Sequence, residues 1–189
     1  MALKHAVLVS LAEKSASGYD LARRFDKSLG FFLKASHQQI YRVLAQLHED
    51  GQVAGELHPG VGKPDRIVYH LTPNGWNTLH DWTAEPSPVD RPRSEFAAKV
   101  RGMNHGDRAA VIADIERQRE AHQHQLELYQ RDAARNFPYP GSLNAAELPV
   151  YLVLRGGIRT EESYVAWCTE MLDRLPPVPT PGPSHQERS

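Results

Sequence analysis

Between Ser36 and Trp82 the hydrophobic period changes twice, and few folds accommodate that order. In "SHQQIYRVLAQLHEDG" (residues 36–51), Ile40, Val43, Leu44 and Leu47 recur at helical spacing. Ser36 stands at an N-cap position, Gln39 three residues later completes a capping-box pattern, and Gly51 marks the stop. The period then drops to two. Ile67, Tyr69 and Leu71 alternate with Arg66, Val68 and His70 as in a half-buried strand, and Val53 and Leu57 offer a weaker partner. "HPGVGKPD" (58–65) separates them with two glycines and two prolines, a turn signal. Thr72 before Pro73 then reads as a cap and first turn of a helix running through Trp76 and Leu79 to about Trp82.

Upstream, Leu3, Val7 and Leu11 share one face of a first helix. "SASGYDLARRFDKSLG" (15–30) supplies Tyr19, Ala22, Phe25 and Leu29 for a second, with Gly30 as its stop. Three helices, a two-stranded ribbon and a further helix make the winged helix-turn-helix order, in which the third helix enters the DNA major groove. Measured from Ile40, Gln38 and Arg42 lie roughly 160° and 200° around the third helix, with Tyr41 on its flank. His37 and Gln38 occupy the first turn. Gln pairs bidentately with adenine and Arg with guanine, each worth about 1–3 kcal/mol of discrimination. Lys63 and Arg66 border the ribbon's loop, where a wing meets phosphate or the minor groove. Solvated helices also carry polar faces, and periodicity alone leaves both readings open, as it does for Tyr41 as an edge-of-core aromatic.

Three prolines in "AEPSPVDRPR" (84–93) suggest a linker, after which the composition changes. "FAAKVRGM" (96–103) reads as a short helix, and residues 106–136 as a long charged one. In the long helix Ile112, Ile115, Arg119, His122, Leu126, Tyr129 and Ala133 follow steps of three and four. "FPYPGS" breaks it. The last helix repeats the pattern with Tyr151, Leu154, Ile158, Glu161, Val165, Cys168, Leu172 and Leu175. Gly156 and Gly157 interrupt it at about 1 kcal/mol each. Two antiparallel helices with such seams build a bundle or a dimer interface, with Ile112, Ile115, Leu126, Tyr129, Tyr151, Leu154, Ile158, Val165 and Leu172 as interface candidates. The expected fold is mainly α with a small β-hairpin. It comprises a winged helix-turn-helix domain (1–83), a linker (84–93), a helical dimerisation and effector domain (94–175) and a proline-rich, disordered tail (176–189).

The formal net charge of the 189 residues is -1, so any nucleic-acid contact must rest on a local patch. The lone Cys168 excludes an internal disulfide framework and points to a reducing cytoplasm. It reads as a small buried hydrophobe rather than a redox sensor. No segment approaches the roughly 18 apolar residues of a membrane span, and the N-terminus lacks a signal-peptide pattern. His122 and His124 project about 200° apart on a helix and do not chelate one ion. Glu161, inside an apolar seam, is expected to pair with a basic residue such as Arg119. Trp76 reads as core, and Trp82 and Trp167 as candidates for an effector cavity. No nucleophile, base or metal set appears at informative spacing, which argues against an enzyme and against a cofactor. A winged helix used only for protein interaction is the alternative to DNA reading.

Three strings carry a closer likeness: "SGYDL" (17–21), "QIYRVLAQLHEDGQV" (39–53) and "YHLTPNGWNTLHDW" (69–82). In order and spacing they resemble the PadR family of bacterial transcriptional regulators. There a Gly-Tyr opens the second helix, I-Y-x-x-L-x-x-L-x-x-x-G forms the recognition helix and Y-x-L-T-x-x-G closes the wing. The likeness covers roughly residues 3–82. Chain length and the long helices resemble, more loosely, the subfamily with an extended helical C-terminal domain. The usual G-L-I after the recognition helix is "GQV" here, which touches only a local packing contact. The resemblance implies a homodimer that binds inverted-repeat double-stranded operator DNA, commonly as a repressor. Its C-terminal helices exchange or pack between protomers, and a small aromatic or hydrophobic effector releases the DNA. By position it makes Tyr19, Ser36, His37, Gln38, Tyr41 and Arg42 DNA-facing, with Lys63 and Arg66 in the wing. Gln39, beside them, joins the candidates.

Overall fold

The computed structural model describes residues 2–25, 35–59, 65–89 and 94–176. The chain divides into two compact units, Met1–Asp90 and Arg91–Ser189. In the first, α1 (Ala2–Glu13), β1 (Ala16–Ser17), α2 (Gly18–Arg24), α3 (His37–Glu49), β2 (Val53–His58), β3 (Arg66–Leu71) and α4 (Pro73–Ala84) follow in order, forming a winged helix-turn-helix. Its sheet has three strands, ordered β1-β3-β2 and antiparallel throughout, where the sequence predicts a two-stranded hairpin. Ala16 and Ser17 pair with Tyr69 and Val68. Two residues are too few to show a period of two, so β1 leaves no sequence signal.

α1, α2, α3 and the base of the ribbon enclose one apolar core that includes Val7, Leu8, Leu21, Phe25, Ile40 and Leu47. On α2 the buried stripe is Leu21, Ala22 and Phe25, and Tyr19, expected on that face, is 58% exposed. Tyr19 lies about 200° from Leu21 around the helix, which explains its turn outward. The expectations for Leu29 and Gly30, for Lys63 and for the tail beyond Pro176 fall outside the described residues.

Only the base of the ribbon is buried. Val53 and Leu71 are covered, whereas their strand mates Leu57 and Ile67, opposite each other in register, are exposed. Burial along β3 rises from its exposed start to Leu71 instead of alternating, because the ribbon extends beyond the helices that would bury its distal half. Trp76, expected in the core, is 51% exposed. The buried neighbour is Gly75: a Cβ there would stand 2.1 Å from the carbonyl oxygen of Gln52. Thr72 fixes that junction by accepting from the Gly75 N–H at 3.2 Å and donating to the Gly51 carbonyl at 2.7 Å.

The second unit comprises α5 (Glu95–Gly102), a 3-10 turn (Met103–His105), α6 (Arg108–Asn136), a second 3-10 turn (Pro140–Ser142) and α7 (Glu147–Arg174). Asp107 caps α6 by accepting from the Ala110 N–H at 3.0 Å. α7 runs unbroken through Gly156 and Gly157. α6 and α7 form an antiparallel hairpin: Arg108 at one end donates to the Pro176 carbonyl, and Phe137 at the other meets Tyr151. This pairing already buries Ile115, Leu126, Tyr129, Leu154 and Ile158 within one chain. These five dimer-interface candidates therefore form the hairpin's own seam. Ile112, Tyr151, Val165 and Leu172 are half-buried. No helix of the described residues is long and apolar enough to cross a membrane.

Candidate nucleic-acid interface

α3 is held at both ends. Ser36 and Gln39 form a reciprocal capping box: the Ser36 hydroxyl accepts from the Gln39 N–H at 3.3 Å, and the Gln39 side-chain oxygen accepts from the Ser36 N–H at 2.8 Å. At the other end Gly51, with φ +66°, allows the Gln52 N–H to reach the Leu47 carbonyl at 2.8 Å and its own N–H the His48 carbonyl at 3.0 Å. That is the Schellman pattern, which favours glycine because its left-handed residue carries no Cβ. Ile40, Leu44 and Leu47 anchor the helix in the core. The opposite face, with His37, Gln38, Gln39, Tyr41 and Arg42, is exposed. Ser36 and Gln39 are thus engaged in shaping the helix start, whereas Gln38 and Arg42 lie exposed on the face turned away from Ile40.

α2 meets α3 through a close approach. A Cβ on Gly18 would lie 2.5 Å from Tyr41 Cε1, so the missing side chain is what seats the Tyr41 ring. Tyr41 stays 44% exposed, and neighbouring Tyr19 carries the Arg23 guanidinium 5.8 Å above its ring. The Gly-Tyr and Ile-Tyr strings therefore meet at one packing contact, which joins Tyr19, Arg23 and Tyr41 on adjoining surface.

Arg66 opens β3 and is exposed, but its Nη1 lies 3.8 Å from the Asp20 carboxylate at the start of α2. Asp20 also accepts from the Ser17 hydroxyl at 2.8 Å. This pairing brings the distal end of β3 to the start of α2 and was not legible in the sequence. Neither was Arg24, which donates to the carbonyls of Ser10, Lys14 and Ser15 at 3.1, 2.6 and 3.0 Å and so stitches α2 to the end of α1. The adjacent arginines 23 and 24 were the available signal.

The two effector candidates lie in different units. Trp82 stacks flat on His5, with ring centroids 4.5 Å apart. Trp167 packs edge-on against Phe96 at 5.6 Å and stands 6.1 Å from Tyr164. Tyr164 in turn stacks on His122 at 4.3 Å. Glu161 pairs with His122, at 2.5 Å, and not with Arg119. With His122 opposite Glu161, an antiparallel register carries Arg119 one turn further on, where it shares a surface cleft with Val165. Arg119 still acts nearby: burial pushes the Cys168 thiol up from its usual pKa, and the Arg119 charge partly opposes that. Among the described residues no group of His, Cys, Asp or Glu is arranged to hold a metal ion.

A winged helix-turn-helix followed by a long helical hairpin defines a class of transcriptional regulators, and comparison with known proteins identifies the branch. Residues 7–81 match the Transcriptional regulator PadR-like family, and residues 92–176 match the family described as Virulence activator alpha C-term. The Mycobacterium tuberculosis "Probable transcriptional regulator Rv1176c" is 41% identical over 185 residues, covering 93% of this chain and 98% of that protein. The crystal structure of Bacillus subtilis PadR in complex with operator DNA superposes with a TM-score of 0.79 at 28% identity, covering 92% of this chain and 98% of that one. The same protein in complex with p-coumaric acid gives a TM-score of 0.74 at 27% identity with the same coverage. The chain belongs to the PadR family of transcriptional regulators, in the form with a C-terminal helical extension.

Proposed function

We propose that this protein is a dimeric, sequence-specific DNA-binding regulator in which α3 reads the major groove. The observation that carries the reading is the build of α3. It is capped at both ends and anchored by three buried residues, and it presents Gln38, Tyr41 and Arg42 outward on a rigid face. Preorganised side chains lose little freedom when they meet base edges. The solved complex of Bacillus subtilis PadR with operator DNA supports the same use of the fold. His37, Tyr19 and the wing residues Lys63 and Arg66 serve as flanking contacts to the DNA backbone.

Dimerisation supplies the second recognition helix. The first two turns of α7, residues 148–154, are apolar all round, and Leu148, Val150, Leu152 and Val153 remain exposed in the single chain. A helix with such a surface is normally buried, and a second copy of the same hairpin buries it symmetrically. We assign repression, relieved by a small aromatic or hydrophobic effector, as the mode of action. The p-coumaric acid complex of Bacillus subtilis PadR supports an aromatic compound, and Trp82 and Trp167 are the residues to probe for it. A coupling of about 1–3 kcal/mol between effector and DNA would change affinity 5- to 150-fold.

Footprinting on the DNA upstream of the protein's own gene tests the proposal. Two protected half-sites in inverted orientation, with centres about one helical turn or roughly 34 Å apart, are expected. Absence of protection at physiological salt, with a protein partner captured instead, would favour the interaction-module reading.

A further inference from the structure

A groove of about 420 Å³ opens beside the recognition surface, lined by Lys14, Ser17, Asp20, Arg23, Arg24 and Arg66 among others. Four cations and one carboxylate face it, in a chain whose formal charge is -1. Asp20 is shared with Arg66 at 3.8 Å and with the Ser17 hydroxyl, and Glu13 lies close enough to Arg24 to feel its charge. Both acids together leave an excess of two positive charges. The Asp20–Arg66 pair is exposed on both sides and long, so it holds Arg66 weakly. Arg24 is locked in place by three backbone carbonyls, which fixes a charge at the groove wall. Lys14 and Arg23 are exposed, and Arg23 shares a face of α2 with Tyr19.

We propose that this groove seats a phosphate of the DNA backbone next to the major groove that α3 enters, with Lys14, Arg23 and Arg66 as its ligands. The inference rests on the DNA-binding reading above and adds Lys14 and Arg23, which neither the hydrophobic pattern nor the family motifs select. Arg supplies a planar fork that matches phosphate oxygens, and Lys adds a point charge. Contacts of this kind set the register of α3 on the duplex without reading sequence.

Full-length wild type, Lys14→Ala and Arg23→Ala are titrated by fluorescence anisotropy against an upstream fragment and an unrelated duplex of equal length, over a salt series. Each substitution is expected to weaken both complexes to a similar degree. Each is also expected to make the slope of log K against log salt shallower by about two units, one for each protomer of the proposed dimer. Arg23→Lys is expected to restore the slope while recovering only part of the affinity. Variants with wild-type slopes on both duplexes would overturn the phosphate seat while leaving DNA reading by α3 intact. Wild type binding neither duplex would overturn both. A third arm titrates inorganic phosphate at constant ionic strength. Saturable phosphate binding lost in Arg23→Ala, with unchanged DNA slopes, would assign the groove to a small anion and refute the backbone contact.

Discussion

At the scale of single residues, two glycines show how a sequence motif is dictated by contact. Gly18 gives the Tyr41 ring its seat, and Gly75 admits the Gln52 carbonyl at the junction of wing and α4. The two respond differently to an added methyl. At Gly75 the obstacle is backbone at 2.1 Å, so Gly75→Ala is expected to cost about 1–3 kcal/mol in a urea melt. At Gly18 the obstacle is a half-exposed ring able to swing outward. Gly18→Ala is therefore expected to cost less than about 1 kcal/mol while displacing Tyr41 and weakening DNA binding. Equal losses of stability from the two substitutions would show that Tyr41 is locked in the core rather than poised at the surface. The motif letters were readable beforehand, but the reason for the glycines was not, because close approach of distant segments leaves no local pattern.

At the scale of elements, the helices were legible where amphipathic period, cap and stop agreed. α3 is the clearest case: Ser36, Gln39, Ile40, Leu44, Leu47 and Gly51 each do in the structure what their spacing requires. β1 was not legible, being two residues that gain strand character only by pairing with β3. The α6–α7 seam was readable as a seam but not as to its partner, since a narrow apolar stripe looks the same whether it meets its own chain or another. Glu161 illustrates the remaining gap, because choosing between Arg119 and His122 requires the register. Its carboxylate accepts from His122 in a largely buried position and, after burial itself, is the second cause that holds the Tyr129 phenol above its usual pKa. Glu161→Ala is expected to cost about 1–3 kcal/mol, and Glu161→Gln less, since an acceptor oxygen remains. In both variants the lagging tyrosine of an alkaline absorbance titration is expected to ionise at lower pH. A raised folded-state pKa gives stability that is complete below the unfolded value and lost as pH rises through the folded one. The variants should accordingly narrow that alkaline loss.

At the scale of the whole molecule, the proposed dimer and the proposed DNA reading depend on each other. One α3 contacts one half-site, and two at a fixed separation are needed for an inverted repeat. Placing a charge on the exposed apolar start of α7, as in Leu152→Arg, is expected to shift the protein from dimer to monomer in sedimentation equilibrium. The circular dichroism should be retained, because Leu152 is exposed within the chain. The same variant is expected to lose most of its affinity for the upstream fragment. A Leu152→Arg protein that stays dimeric would move the interface elsewhere. The central claim is tested most directly by the ratio of affinities for the upstream fragment and an unrelated duplex, measured for wild type and for Gln38→Ala/Arg42→Ala. The account predicts that the double variant loses about 2–6 kcal/mol of discrimination per half-site while its binding to unrelated duplex changes little. An unchanged ratio would show that α3 does not read the DNA.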